Sequence, residues 1–335
     1  MASPSLLAVA AYLPEHTVAV ADLPELRDLP PEQRDTCLRL GVSHVPCDPA
    51  LSTTDLAERA AQRALAQAGL SGSDIDALIV VESRAPEHLV SSEATRLQHR
   101  LDLTRAMSFT VGGLGCVSIT PALLTARGLL AADPDLSTVL IAHGSRPATP
   151  HRYRHPVTIS GDGGLAVIVA RHGPVRVRDI VLETNGAYWD LFRVDYRDLP
   201  TAQWREQCAD LAAYSFSLAV ETAGRLRALN RLALRRSGLD QRDIACYLSQ
   251  NLSLSTFQVY AELLDAAIAP ACADNLSRYG HQGPNDIMLN LSHAIERGEL
   301  PEGGTAIAVN ASPSAAWSML ILEHGATAGT DVHYL

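Results

Sequence analysis

The stretch Ser108-Phe-Thr-Val-Gly-Gly-Leu-Gly-Cys116-Val-Ser-Ile-Thr-Pro-Ala-Leu-Leu124 decides how the rest of the chain is interpreted. An apolar run ends in a glycine-rich turn, one cysteine follows, and a helix-like segment rich in Ala and Leu begins at once. Glycines let the backbone turn sharply and approach a ligand closely. A helix that starts beside Cys116 directs unpaired N–H groups and its positive dipole end at the sulfur, which favours the thiolate. The pattern predicts a nucleophilic thiol; the alternative is a small buried hydrophobe, which most intracellular cysteines are.

The composition is that of a soluble globular protein. Of 335 residues, 47% are hydrophobic and 19% are charged, which fits an α/β protein with an ample core. The 27 basic and 37 acidic residues give a formal net charge of −10, which disfavours non-specific binding to nucleic acid or to a membrane surface. Every basic residue is an arginine, so Schiff-base chemistry on a lysine is excluded.

The cysteines and the N-terminal residues predict a cytoplasmic protein. Six cysteines are scattered without a Cys-x-x-Cys pair, which argues against a zinc site and against a disulfide framework. The first residues, Met-Ala-Ser-Pro-Ser-Leu-Leu, lack the charged region of a signal peptide, and no uninterrupted apolar run reaches membrane-spanning length. His143, His151 and His155 have no carboxylate at ligand spacing, so no metal site is predicted.

Alternating strand and helix patterns predict an α/β fold. Strands are predicted at 6–11, 75–81, 138–143, 165–170, 244–249 and 305–311, and helices at 53–68, 93–100, 209–236 and 253–268. The segment 69–75 resembles 238–244 at an offset of 169 residues (from 69 to 238), and 138–142 resembles 305–309 at an offset of 167 (from 138 to 305). Two internal similarities at nearly the same offset indicate a duplication into halves 1–172 and 173–335. The alternative is that similar turn residues between strands and helices recur by coincidence.

A set of short motifs runs through the chain in a fixed order: Tyr12-Leu-Pro-Glu, Arg39-Leu-Gly-Val, Gly69-Leu with Asp74-Ile, the Cys116 turn, Gly161-Asp-Gly, Thr184-Asn-Gly-Ala-Tyr, Gly238-Leu-Asp, Tyr279-Gly, and Asn310 to Trp317. Their order and spacing resemble the thiolase superfamily, and within it the ketoacyl-ACP synthase III-like condensing enzymes and acyltransferases. The resemblance implies a five-layered αβαβα fold of two duplicated halves, usually in a homodimer. It also implies that Cys116 accepts an acyl group as a thioester from coenzyme A or from the phosphopantetheine of an acyl carrier protein, with no further cofactor.

Two positions depart from the pattern that the resemblance implies. The family histidine that assists the second half-reaction falls at Gln250, and a one-residue shift either way supplies no histidine. The family asparagine after Tyr-Gly is replaced by His281. A single imidazole near Cys116 suits general-base catalysis, whereas glutamine cannot carry a proton at neutral pH, so Gln250 is expected to position substrate. The spacing of Asp286 permits it to orient His281.

Further site residues follow from the resemblance. The backbone N–H of Ser314 falls where the second oxyanion donor is expected, beside the N–H of Cys116, and Pro313 has no N–H to offer. Arg39 and Arg154 match arginines that contact the nucleotide of coenzyme A, although the aromatic residue expected before Arg39 is missing.

A basic run in the predicted helix 209–236 has two interpretations. It can dock an acidic carrier protein, or it is an ordinary solvated helix face. Its members are Arg225, Arg227, Arg231, Arg235 and Arg236.

Three functions remain open from the sequence. We expect an acyltransferase that works in two steps through Cys116 and delivers the acyl group to a hydroxyl, amine or carbon nucleophile, in specialised metabolism of the polyketide type. The alternative is a decarboxylating 3-oxoacyl-ACP synthase III that makes a C–C bond with a malonyl thioester. The third is a non-catalytic partner of an active homologue, for which the missing histidine is the argument.

Overall fold

The structure, a computed structural model, describes residues 4–82 and 85–325. Its strands are β1 (Ser5–Tyr12), β2 (Thr17–Ala19), β3 (His44–Pro46), β4 (Ala77–Val81), β5 (Met107–Val111), β6 (Thr138–Ser145), β7 (Tyr153–Arg154), β8 (Thr158–Ile159), β9 (Gly163–Ala170), β10 (Val175–Thr184), β11 (Phe192–Val194), β12 (Glu206–Cys208), β13 (Ile244–Ser249), β14 (Thr305–Ser312) and β15 (Ala316–His324). Its helices are α1 (Pro31–Leu38), α2 (Thr53–Ala68), α3 (Glu93–Arg100), α4 (Ile119–Ala132), α5 (Ala219–Ser237), α6 (Leu254–Leu264), α7 (Pro270–Tyr279) and α8 (Asp286–Glu296), with a π-helical segment at Ala213–Leu218 before α5.

The main sheet repeats one topology twice. Its strand order is β13-β14-β15-β10-β1-β9-β6-β4-β5. In the first half β4 is parallel to β6, β6 is antiparallel to β9, and β9 is antiparallel to β1. In the second half β13, β14, β15 and β10 repeat the same parallel, antiparallel, antiparallel sequence. Within the described part of the sheet, the two halves pair through two residue pairs between β1 and β10. The predicted boundary at 172/173 lies between β9 and β10.

Apolar side chains on both faces of each half produce five layers. In β4, Ala77, Ile79 and Val81 enter the central core while Leu78 and Val80 enter an outer one, because successive strand residues point to opposite faces. Helices α2 and α3 cover the outer face of the first half, and α5 with part of α6 covers that of the second. Helices α4, α7 and α8 contribute to the core between the halves.

The helix that follows the Cys116 turn is apolar enough to be compared with a membrane span. The window Gly115–Ala132 reaches the length and mean hydropathy of such a span, although half of it is buried inside the fold. Its side chains Ile119, Ala122 and Leu123 pack in the central core. We therefore interpret it as a core helix, whose N-terminus is held between the two halves.

Candidate active site

Cys116 lies where a buried helix begins. Residues Gly115–Ser118 form a 3-10 turn that continues directly into α4, and Cys116 has no exposed surface. Gly115 has φ +55°, and a Cβ there would lie 2.6 Å from Oγ of Ser312, so the turn requires glycine. The side-chain amide of Asn310 donates to the carbonyl of Cys116 at 2.8 Å. Strand β14 therefore holds the Cys116 turn from the other half of the chain.

His281 reaches the sulfur from the second half. Its Nε2 is 3.0 Å from Sγ of Cys116. Its backbone N–H donates to the carbonyl of Ile159 at 2.8 Å, and its carbonyl accepts the N–H of Gly161 at 3.0 Å. Gly280, just before it, has φ +63°, and a Cβ there would lie 2.6 Å from the carbonyl oxygen of Ile159. The Gly161-Asp-Gly motif thus serves to hold the backbone of His281.

Asp286, the first residue of α8, completes a Cys–His–Asp arrangement. Its Oδ2 is 2.5 Å from Nδ1 of His281, and its side chain is fully buried. The carboxylate also accepts the backbone N–H of Gln282 at Oδ1 and that of Asn251 at Oδ2, both at 2.8 Å. An ionised carboxylate only accepts hydrogen bonds, so Nδ1 of His281 carries a hydrogen and Nε2 faces the thiol.

The charges around His281 favour its protonated form. Burial by itself lowers the pKa of His281, but the negative charges of Cys116 and Asp286 outweigh burial and raise this pKa to about 9. In contrast, burial raises the pKa of the Cys37 and Cys272 thiols to about 12. The charge of Asp286 therefore favours transfer of a proton to His281, whereas the thiols of Cys37 and Cys272 stay protonated at neutral pH.

The side-chain amide of Gln250, which was predicted to position substrate, is hydrogen-bonded to the backbone of β14. Its Nε2 donates to the carbonyl of Ala311 at 2.6 Å, and its Oε1 accepts the N–H of Ala311 at 2.8 Å. The side chain is fully buried. Because both ends of the amide already have partners, this geometry does not support the predicted contact with substrate. Gln250 instead holds β14 beside the Cys116 turn.

Replacing Gln250 by alanine is expected to lower the free energy of unfolding by about 2 kcal/mol, because the buried N–H and carbonyl of Ala311 lose their partners. Urea denaturation followed by circular dichroism measures this loss. Gln62→Ala, which removes an exposed contact to Glu58, is the matched control and should leave the curve nearly unchanged. A Gln250→Ala curve that overlays the wild type would contradict the structural role.

The turn after Asn310 brings two serine hydroxyls to the site. The N–H of Ser314, predicted to hold the oxyanion, has a long bond of 3.3 Å to Oγ of Ser312. The two hydroxyl oxygens are 2.8 Å apart, and that of Ser312 lies beside Gly115. Sequence reasoning considered only the backbone of this turn and missed the hydroxyls, although Ser-Pro-Ser in place of the family glycines was the available signal.

Two cavities share part of their walls at the turn that lies beside Gly115. The first, of about 310 Å³, is lined by neighbours of the catalytic pair and by polar side chains, among them Gly115, Ser118, Gly283, Glu82, His143, Ser145, Arg146 and Glu206. The second, of about 340 Å³, is more apolar and is lined among others by Tyr214, Leu218, Leu252, Tyr260 and Ala311. Ser312 and Pro313 line both cavities. Burial raises the pKa of Tyr260 in the second cavity, and the charges of Tyr214 and Cys116 add to this effect.

The two arginines expected to contact coenzyme A differ in exposure to solvent. Arg39 is exposed at the C-terminal end of α1. Arg154 is only 2% exposed, and its Nε is 2.6 Å from Oε1 of Glu206. A nucleotide at the surface does not reach this guanidinium unless the residues that cover Arg154 move. The placement of Arg154 therefore argues against the predicted nucleotide contact.

Comparison with known proteins adds independent findings. Residues 234–324 match the family described as 3-oxoacyl-(acyl-carrier-protein) synthase III, C-terminal. The chain is 25% identical over 334 residues to the β-ketoacyl-(acyl-carrier-protein) synthase III of Oleidesulfovibrio alaskensis, with 95% of this chain and 98% of the relative covered. It is similar in structure to the 3-oxoacyl-(acyl carrier protein) synthase III of Pseudomonas aeruginosa (TM-score 0.78, 20% identity, 97% and 99% covered). It is also similar to the acyltransferase ChlB3 (TM-score 0.83, 19% identity, 96% and 98% covered). The structural likenesses confirm the predicted fold.

Proposed function

Since the chain belongs to the ketoacyl synthase III-like group of the thiolase superfamily, we propose that it is an acyltransferase that carries the acyl group on Cys116. The observation that supports this most is the contact chain from Cys116 through His281 to Asp286. Decarboxylating condensation calls for two neutral donors that hold an enolate, and here the amide of Gln250 is already bonded to Ala311. One imidazole oriented by a carboxylate is better suited to activating a hydroxyl or an amine.

In the first half-reaction, the proton of the Cys116 thiol moves to Nε2 of His281. The thiolate attacks the carbonyl carbon of an acyl thioester, and the oxyanion forms beside Gly115, where the N–H of Cys116 and the hydroxyl of Ser312 are the proposed donors. The tetrahedral intermediate collapses, the carbon–sulfur bond to the donor breaks, and the departing thiolate takes the proton from His281. The acyl group is now a thioester of Cys116.

In the second half-reaction, an acceptor hydroxyl or amine gives its proton to Nε2 of His281 and attacks the thioester carbonyl. The bond to Cys116 breaks, and its sulfur leaves as the thiolate. Asp286 keeps Nδ1 protonated throughout and stabilises the imidazolium that forms in each half. The two cavities give the substrates separate approaches, and we assign the polar cavity to the acceptor because hydroxyl and charged groups line it.

Mass spectrometry of the intact protein tests this function. We expect an acyl adduct after incubation with acyl thioesters, and transfer of the adduct to an added alcohol or amine such as methyl glucoside or ethanolamine. Carbon dioxide release from a malonyl thioester, with a β-keto product, would select the condensing alternative. Absence of any adduct across a broad panel of thioesters would favour the non-catalytic partner. The departures from the family pattern at Gln250 and His281 favour a place in specialised metabolism.

We propose a carrier-protein thioester as the donor, because one helix presents a surface suited to it. Along the π-helical segment and α5, exposed residues follow one stripe: Phe216, Val220, Gly224, Arg227, Arg231 and Arg235. Their spacing keeps them within an arc of about 100°. The first two are 72% and 74% exposed and lie next to Ser215 and Ala219, which line the second cavity. The arginines at the C-terminal end of this stripe form a basic surface in a chain of net charge −10, and such a surface suits an acidic partner.

Not all of the predicted basic run belongs to this surface. Arg225 bonds to Glu183 and Glu221, and Arg236 is 2.8 Å from Asp179. The other three arginines, Arg227, Arg231 and Arg235, have no ion pair within residues 4–82 and 85–325. The docking surface is therefore narrower than the sequence predicted.

The double change Arg231→Glu/Arg235→Glu is expected to raise KM for an acidic acyl carrier protein roughly tenfold, since it reverses the charge that attracts this partner. Acylation of Cys116 by a small uncharged thioester should stay unchanged. Initial rates at low and high salt measure the effect, which should shrink as ionic strength rises. Arg105→Glu, at a 70% exposed side chain in the other half, is the control. An equal KM for wild type and double variant at low salt would rule out this surface.

We also propose that the chain forms the homodimer that the resemblance implies. Strand β5 is an edge of the main sheet, and among residues 4–82 and 85–325 it pairs with β4 alone. Met107 at its start is 46% exposed. An open apolar edge strand is a template for pairing with a second chain. Sedimentation tests this, and a particle of 35.8 kDa at micromolar concentration would refute it.

A further inference from the structure

A chain of buried amides approaches Asp286 from outside the site. Its links run in order from His293 Nδ1 to Asn275 Oδ1 (2.6 Å), from Asn275 Nδ2 to Asn290 Oδ1 (2.7 Å), from Asn290 Nδ2 to Asn251 Oδ1 (2.8 Å), and from Asn251 N to Asp286 Oδ2 (2.8 Å). Asn275 and Asn290 are at most 2% exposed. The last link ends on the carboxylate that orients His281.

One carbonyl fixes the direction of every link. Nδ2 of Asn290 also donates to the carbonyl of Ser249 at 2.6 Å, and a carbonyl oxygen can only accept. The amide of Asn290 therefore cannot be turned over, so its Oδ1 must accept from Asn275. The oxygen of Asn275 in turn faces Nδ1 of His293, which carries the hydrogen. Every donor in the chain thus points towards Asp286.

Asn290 binds the turn 249–251 at two points, through the carbonyl of Ser249 and the side chain of Asn251. It lies in α8 four residues after Asp286, so the helix that carries the carboxylate also carries the residue that holds this turn. Its neighbours Leu289 and Leu291 are fully buried. A buried amide is costly unless its bonds are made, so a fully bonded asparagine here specifies one position of the turn.

We propose that Asn290 is a positioning residue of the active site. It holds the N–H of Asn251 against the carboxylate of Asp286 and thereby keeps this carboxylate hydrogen-bonded to Nδ1 of His281. The inference rests on the proposed function, because it concerns the same Cys116 site. A carboxylate held in place stabilises the imidazolium, and a stable imidazolium favours the thiolate. Loss of the Asn290 contacts releases the turn and weakens that support without touching Cys116.

The test compares the alkylation of Cys116 by iodoacetamide in wild type and Asn290→Ala across pH 6–10, with the labelled peptide quantified by mass spectrometry. At pH 7 the variant is expected to react about tenfold more slowly. The deficit should shrink towards pH 10, above the ordinary thiol pKa of about 8.5, because hydroxide then removes the thiol proton without the imidazole. Asn230→Ala is the matched control, since Asn230 is a buried asparagine bonded to Gln241 and Tyr247. Its pH profile should follow the wild type.

The outcomes separate the positioning role from the function on which it rests. If wild-type Cys116 is neither alkylated at pH 7 faster than Cys272 nor acylated by thioesters, the proposed function fails. If the wild type reacts and Asn290→Ala has the same profile, the positioning role fails. A deficit of equal size at every pH, with a lowered Tm, would show that Asn290 only stabilises the fold and would also overturn the proposal.

Discussion

Cys116→Ala is expected to abolish the acyl adduct and to lower the rate of acyl transfer by at least on the order of 10⁴-fold, because no other group in the site can form the thioester. The sulfur is fully buried and 3.0 Å from the imidazole of His281, and the methyl group of alanine cannot act as a nucleophile in its place. Intact-mass measurement after incubation with an acyl thioester detects the adduct directly, at one acyl group per chain in the wild type.

The matched control is Cys272→Ala, which also removes a fully buried sulfur from the central core. Burial raises the pKa of that thiol to about 12, so it is unreactive at neutral pH and its loss should leave the adduct in place. A Cys116→Ala protein that still gains one acyl group would show that the nucleophile lies elsewhere.

Asp286→Asn is expected to slow acylation of Cys116 on the order of 10³-fold at pH 7, because the amide neither carries the charge nor enforces the tautomer of His281. The charge of Asp286 helps to raise the pKa of His281 to about 9. Without that charge this pKa falls, so His281 is a weaker base for the proton of the Cys116 thiol. Stopped-flow acylation measured from pH 6 to 10 should show the loss at neutral pH and a smaller one in alkaline solution.

Asp179→Asn provides the comparison for this variant. Asp179, on β10, is a buried carboxyl paired with the half-exposed Arg236, so its replacement disturbs an ion pair that does not contact the site. The acylation rate of Asp179→Asn should equal that of the wild type. If Asp286→Asn were equally active, the carboxylate would have no part in catalysis, and His281 would act without an orienting partner.

The sequence predicted the fold for physical reasons that are visible in the structure. The echo between 69–75 and 238–244 reflects equivalent strands, because β4 and β13 each pair in parallel with the next strand of their half. Helix α2 begins and ends where the periodicity placed it, since Ser52 and Asp55 form a capping box. In contrast, β10 and β15 were not predicted, although they pair along nearly their whole length. Strand β10 alternates charged and apolar residues, a pattern that also suits an exposed loop.

Within the site, the sequence predicted that His281 lies near Cys116. It did not predict that the side chain of Gln250 bonds to the backbone of β14. An amide side chain can bond to a ligand or to a backbone, and the sequence does not show that β14 brings Ala311 to within 2.6 Å of it. Arg154 illustrates the same difficulty, because its burial depends on Glu206, a residue 52 positions further along. The distant partner, rather than the residue itself, decides the role in both examples.

The turn formed by Ser312 and Pro313 separates the two cavities, and it belongs to both of their walls. Any substitution there changes the space for the incoming thioester and for the molecule that receives the acyl group at the same time. Selectivity for the two substrates is therefore coupled through two neighbouring residues, and variants of this turn should show epistasis between donor and acceptor preference. An engineer who wishes to alter one preference alone would begin at Tyr214 or Arg146, each of which faces a single cavity.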